Sequence, residues 1–351
     1  MWKVFNFDNS DFDGLLKLTV EYYGNVEISN DAYLMWQYFS NPSGDAIIKI
    51  AKNDAGEIVG QYVLLPMDVK AFDKTIRATL SLNTLTRDDY QGKGIFTALS
   101  EMAFSTCQDE NYGFTYGYPN QNSYPGFIKK LNFVSLHNVP LLIYPCNLRS
   151  LVRKRFSKFL SYFVPNIFFR MSKTSTHADN VIEISLDKIS LLDDFWNRVK
   201  PKYNMMISRD KNFLKWRYFD IPTRDYKIFA YEERGAVLGY IVLCLREVDN
   251  VKNGMIVDFL VNENSLGAGK CLIDKSFSFF KQNNAELLGC LMLEHTQEYE
   301  ILRQSGYIKC PKILEPQPFP VIYRAHSEDF NTDEMKNINN WFVTMGDYDA
   351  V

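Results

Sequence analysis

Along the chain, apolar and polar residues first alternate in strand fashion and then recur at helical spacing, and the change is sharpest between Leu82 and Ala103. Leu82-Asn83-Thr84-Leu85-Thr86 reads as the end of a strand. Gln91-Gly92-Lys93-Gly94 reads as a turn, and from Ile95 onward Phe96, Leu99, Met102 and Ala103 mark one face of a helix. Glycine-bounded turns also occur at Gly56-Glu57-Ile58-Val59-Gly60, leading into a strand over 61–65, and at Gly235-Ala236-Val237-Leu238-Gly239, leading into one over 240–245.

These two turns belong to an internal duplication. Asp31-Ala32-Tyr33-Leu34-Met35-Trp36-Gln37-Tyr38-Phe39 is matched by Asp210-Lys211-Asn212-Phe213-Leu214-Lys215-Trp216-Arg217-Tyr218-Phe219, and Leu131-Asn132-Phe133 is echoed by Ser305-Gly306-Tyr307. In each copy the periodicity predicts helices, an antiparallel meander, then strand, helix, strand, helix and a closing strand. The fold class expected is α/β (α+β), two tandem domains, each a mixed and mostly antiparallel sheet flanked by helices. The expected division is a first domain over 1–145, a connector over 146–179, a second domain over 180–325 and a tail over 326–351. A length of 351 residues also suits two domains.

The junction at 82–99 has the chemistry of an anion site. Gly92 and Gly94 lack Cβ atoms, so successive amides can converge on a phosphate, and the helix beginning near Ile95 adds the positive end of its dipole. Lys93 adds a charge. In the second copy the corresponding stretch, Asn262-Glu263-Asn264-Ser265-Leu266-Gly267-Ala268-Gly269-Lys270, keeps two glycines but brings Glu263 toward the place of a phosphate. The first copy is therefore the better cofactor site.

The run Gln91-Gly92-Lys93-Gly94-Ile95-Phe96 resembles the acyl-CoA pyrophosphate loop of the GNAT superfamily of N-acetyltransferases, with Phe96 where that family has a small residue. The downstream run from Phe114 to Phe133 resembles the later strand, the Asn-led helix and the closing Gly-Phe signature, with Asn132 in place of Gly. The resemblance covers nearly the whole chain and extends to two-domain members linked to bacterial surface-polysaccharide synthesis. It implies acetyl-CoA as co-substrate, without a metal, and transfer to a primary amine of a small molecule, with an amino sugar or nucleotide-sugar amine as the preferred acceptor.

By the same resemblance, Thr84, Leu85 and Thr86 would run beside the pantetheine and offer an amide to the thioester oxygen, while Gln91, Gly92, Lys93, Gly94, Ile95 and Phe96 would hold the pyrophosphate. Asn120 and Asn122 would meet the pantetheine arm or cap the following helix. The family's acidic Tyr falls at Ile128, and Tyr124 is the nearest substitute. No carboxylate lies between Ile76 and Thr86. Asp258, on the equivalent strand of the second copy, is the candidate base; a salt bridge to a core Arg is the competing reading.

Composition limits the alternatives. A formal charge of −3 argues against a general nucleic-acid binder. The six cysteines are scattered, with no CxxC pair, which disfavours zinc and disulfide frameworks. The first eight residues include an acidic one where a secretory signal needs an apolar run, and no apolar stretch approaches the ~18 residues of a spanning helix, so a cytoplasmic setting is expected. Residues 149–173 are basic and amphipathic. They suit a helical hairpin between domains, a peripheral membrane contact or a grip on a polyanion. Two other functions stay open: an aminoacyl transferase using charged transfer RNA, and a catalytically silent acyl-CoA-binding protein.

Overall fold

The computed structural model describes residues 1–146, 180–248 and 250–348. The amphipathic stretch 149–173 and nearly all of the expected connector lie outside them. In the first copy the order is β1 (Trp2–Asn6), α1 (Phe12–Tyr23), α2 (Asp31–Phe39), β2 (Ile47–Asn53), β3 (Ile58–Ala71), β4 (Lys74–Thr86), α3 (Ile95–Asp109), β5 (Phe114–Gly117), α4 (Tyr124–Lys130) and β6 (Val134–Asn138). After β7 (Leu141–Pro145) and β8 (Val181–Glu183) the second copy repeats it. It runs through α5 (Ser190–Val199), β9 (Met205–Ile207), α6 (Lys211–Tyr218), β10 (Lys227–Glu233), β11 (Ala236–Val248), β12 (Val251–Val261), α7 (Leu266–Gln282), β13 (Leu287–Leu291), α8 (Gln297–Gln304), β14 (Ile308–Lys309) and β15 (Pro320–Ala325).

Two mixed sheets result, in the strand orders β1-β2-β3-β4-β5-β15-β6 and β14-β7-β13-β12-β11-β10-β8, with β9 added beside β3. The closing strands are exchanged. β7 pairs with β13 and β14 in the second sheet, whereas β15 pairs with β5 and β6 in the first. Only Val139 and Pro140 separate β6 from β7, so the chain crosses directly from one sheet to the other. A cut at residue 145 therefore divides the backbone without separating the sheets, because each sheet ends on a strand of the other copy.

Repeated glycines let the helices approach these sheets. A Cβ on Gly60 would lie 2.7 Å from Cγ2 of Ile95, and one on Gly239 would lie 3.3 Å from Leu272. Each glycine stands where the helix after the meander crosses its strand. One continuous core links both copies and takes in Trp341, Phe342, Val343, Met345 and Tyr348 of the tail. A smaller aromatic cluster, including Tyr62, Phe104, Phe127 and Phe133, lies under α3. Among the described residues no helix is long and apolar enough to cross a membrane.

Candidate functional site

β4 and β5 run parallel and pair only from Thr79–Thr115 to Ser81–Gly117. β5 then ends, while β4 continues against β3 to Thr86. The β5-facing edge of Leu82–Thr86 has no strand partner among the described residues, and this opening is the first wedge.

A bulge lies on that edge. Tyr62 of β3 faces both Asn83 and Thr84 of β4, since Gln61 pairs with Leu85 and Val63 with Leu82. Asn83 takes φ +48°, a left-handed conformation that Asn tolerates better than most side chains. The bulge is clamped: Asn83 Nδ2 donates to Gln37 Oε1 at 2.7 Å and to Tyr38 Oη at 2.8 Å, and Gln61 Nε2 donates to the Asn83 carbonyl at 2.9 Å. Asn83, Gln37 and Gln61 were not singled out in the sequence. The only local signal was an Asn breaking the alternation just before the turn. Beside them, the Thr84 hydroxyl is enclosed without a hydrogen-bond partner among the described residues.

The turn stands over the end of this edge. Ile95 packs on Gly60, which pairs with Thr86, so the first residue of α3 sits above the last residue of β4. Gly92 (φ +73°) and Gly94 (φ +84°) are both left-handed and exposed. A Cβ at either would meet nothing within 4 Å, so conformation rather than space calls for glycine here. Gly94 is the N-cap of α3 and makes no side-chain cap, which leaves the first amides of the helix to an external acceptor. Gln91 ties the turn internally through Nε2 to Asp88 Oδ1 at 2.8 Å. Arg87 is held by Asp89 at 2.7 Å, while the Lys93 ammonium stands 4.6 Å over the Tyr90 ring.

Phe96 turns inward, 5.6 Å from Phe127 centroid to centroid, and a Cβ on Gly126 would lie 3.2 Å from its ring. Its bulk thus fills the contact between α3 and α4. Tyr124 heads α4, half-buried against the same aromatic cluster. Asn120 caps the loop before that helix, its Oδ1 accepting the amides of Asn122 and Ser123, each at 3.0 Å. Asn122 is exposed. The wedge, the turn and the start of α4 come together, and Asp258 does not join them.

Asp258 is fully buried in β12. It accepts from Arg209 Nε at 2.9 Å, Tyr240 Oη at 2.8 Å, Thr344 Oγ1 at 3.1 Å and the Phe259 amide at 3.1 Å. Arg209 also pairs with Asp347 at 2.6 Å, and burial raises the Asp347 carboxyl above its ordinary value against the pull of Arg209. Asp258 thus stands in the setting of the competing reading, a fully buried carboxylate paired with a core Arg, with both its oxygens taken up by hydrogen bonds.

The second copy has a wedge of its own, and the tail fills its inner part. β12 and β13 pair from Asn253–Leu287 to Ile256–Cys290. Beyond that point the tail enters: Thr344 bridges to Met292, and a Cβ on Gly346 would lie 3.3 Å from the Val257 carbonyl. Gly267 and Gly269 lie inside α7 rather than in a turn, and the latter faces Ile301 of α8. Residues 341–348 of the tail are therefore a buried plug.

Residues 4–134 match the family model described as an acetyltransferase (GNAT) domain. The match falls within the first copy. No curated protein sequence matches the chain significantly. Among solved structures, the chain is similar to a GCN5-related N-acetyltransferase from Anabaena variabilis ATCC 29413, with a TM-score of 0.68, 9% identity, and coverage of 93% of this chain and 73% of that one. It is also similar to a conserved Enterococcus faecalis V583 protein described as a probable N-acyltransferase, with a TM-score of 0.63, 11% identity, and coverage of 93% and 73%. A third is Saccharomyces cerevisiae N-myristoyltransferase with bound myristoyl-CoA, with a TM-score of 0.62, 9% identity, and coverage of 92% and 82%. At these identities the likeness is one of fold, and it spans both copies.

Proposed function

We propose that this protein is a GNAT N-acetyltransferase that moves an acetyl group from acetyl-CoA to a primary amine of a small molecule. The observation that carries the reading is the first wedge, open past Ser81 and Gly117 with the Gly92-Lys93-Gly94 turn at its head. The unpartnered Thr84 hydroxyl and the uncapped start of α3 fit a polar co-substrate there. An amino sugar or nucleotide-sugar amine as acceptor rests on the resemblance to two-domain proteins of surface-polysaccharide synthesis.

Bound acetyl-CoA would supply the thioester. The amides from Gly92 to Phe96 hold the diphosphate, and the edge Thr84-Leu85-Thr86 aligns the pantetheine as an added strand would. The clamped bulge at Asn83 presents a fixed amide to the thioester oxygen, where such a donor is worth about 3–4 kcal/mol in the transition state. As the acceptor nitrogen bonds to the acyl carbon, the C–S bond breaks; the thiolate takes a proton, which we assign to Tyr124, and the nitrogen releases one to solvent, from which Tyr124 is reprotonated. β4 carries no carboxylate, so the acceptor reacts as the free amine.

The space between the copies favours a short acyl group. Tyr118 stacks on Tyr348 with centroids 4.0 Å apart, and the cavity beside Leu80, Leu82, Trp36 and Trp216 measures only ≈ 20 Å³, about one water. Isothermal titration of the full chain with acetyl-CoA, followed by thiol release over an amine panel, tests the proposal. Binding and release are expected from the wild type, and loss of both from Gly94→Glu. Micromolar binding retained by that variant would refute the loop assignment, and binding without release on any amine would make the protein a silent binder.

A further inference from the structure

The second wedge is plugged only on its inner side. Its outer part is a cavity of ≈ 360 Å³, within the range of about 300–1,000 Å³ typical of small-molecule sites. Its walls include Val261, Glu263, Glu298, Tyr203, His295 and Trp341.

Glu298 gives this cavity its character. It is 1% exposed, and its Oε1 accepts the Val261 amide at 3.0 Å and Gln297 Nε2 at 3.3 Å. Both partners are neutral. The lysine on the cavity wall, Lys202, is paired with Glu263 at 2.9 Å. Burial pushes the Glu298 carboxyl up to about 7, as befits a charge with no opposite charge at hand.

An acyl-CoA does not suit this place. The amide of Val261 is already occupied by Glu298, and Thr296 Oγ1 accepts the Tyr299 amide at 3.2 Å to cap α8. Gly267 and Gly269 form no phosphate turn. What the Glu298 carboxylate lacks is a cation, and what the cavity offers beside it is an aromatic wall that includes Tyr203, packed on Phe342, and Trp341.

We infer that the second wedge binds a small organic ammonium compound, its cationic nitrogen at the Glu298 carboxylate and its body against the wall that holds Tyr203 and Trp341. The site lies apart from the first wedge. Tyr203 adjoins β9, which pairs with Val69–Ala71, whereas the first wedge opens past Ser81, which pairs with Leu64, about 17 Å away along β3 at about 3.3 Å per residue.

The test is isothermal titration of the full chain with n-butylammonium against n-butanol, and with glucosamine against glucose. Each pair matches shape and differs in charge. For at least one pair the charged member is expected to bind about tenfold tighter or better, and Glu298→Gln to erase that preference. Asn339→Trp, from an exposed position on the wall, is expected to block both members. Unchanged acetyl-CoA titration in both variants reports that the fold and the first wedge are intact. Should Glu298→Gln misfold, Asn339→Trp decides. Equal binding within both pairs, no binding at all, or a preference that survives either folded variant would overturn the inference.

Discussion

The indole N–H of Trp36 donates to the Trp216 carbonyl at 2.9 Å, and the indole N–H of Trp216 donates to the Trp36 carbonyl at 3.2 Å. The two rings stack at 4.9 Å with their planes 17° apart. Equivalent residues of the two copies thus meet each other across an approximate two-fold, and the exchange satisfies two buried donors and two helix carbonyls at once. Glu27 reinforces the contact from the first copy by pairing with Arg224 and Arg246 of the second.

Replacing Trp36 by Phe keeps a ring to stack but leaves the Trp216 carbonyl without its donor. Chemical denaturation is expected to show a loss of about 1–3 kcal/mol. Trp36→Ala should lose about 3–5 kcal/mol, because a buried aromatic volume is vacated as well. Equal stability of the Phe variant and the wild type would mean that water replaces the bond.

The clamp on Asn83 separates rate from stability. Asn83→Gly accepts the left-handed backbone but loses the bonds to Gln37 and Tyr38, whereas Asn83→Ala loses both the bonds and the conformational ease. Both variants are expected to lower kcat for the proposed acetyl transfer about tenfold or more by loosening the amide assigned to the thioester oxygen. Only the Ala variant should also show the added backbone strain, about 1 kcal/mol in unfolding. A Gly variant with wild-type kcat would remove the bulge from the mechanism.

Asp258 and Arg209 should behave as structure. Arg209→Leu leaves the carboxylates of Asp258 and Asp347 buried together without their cation, and a loss of about 3–5 kcal/mol is expected. Asp258→Asn should lower the melting temperature while leaving the pH profile of transfer unchanged in whatever protein remains folded. A profile that loses a limb would return Asp258 to the chemistry.

Glu298 predicts a pH dependence of stability. Its carboxyl stands at about 7 in the fold against 4.5 ordinarily, because burial disfavours the charged form. Below about 4.5 both folded and unfolded states hold the proton and nothing is lost. Between there and about 7 the unfolded chain ionises first, so stability falls with rising pH, by about 3 kcal/mol in all. Glu298→Gln should remove that slope, and denaturation midpoints at pH 5 and pH 7.5 compare the two directly. A bound ammonium ligand should flatten it as well.

How far the sequence carries differs from element to element. The strand, turn and helix at 82–99 were legible because each depends on neighbours a few residues apart: alternation, two glycines at left-handed positions, and apolar residues at helical spacing. The duplication was legible for the same reason, since both copies repeat one local pattern around Trp36 and Trp216. The turn expected from Gly267 and Gly269 was misplaced because glycine also serves close packing, and here Gly269 makes room for Ile301 within a helix.

Alternation and spacing by themselves determined two α/β copies, a glycine turn at the start of α3 and the absence of a carboxylate on β4. Tertiary structure alone decided that β7 and β15 change sheets, that the tail enters the second wedge, and that Asp258 meets Arg209. A strand's own pattern specifies which face is buried but not which of two equivalent edges receives it. Contacts between residues far apart in the chain are selected only when both sheets compete for the same partners in one shared core.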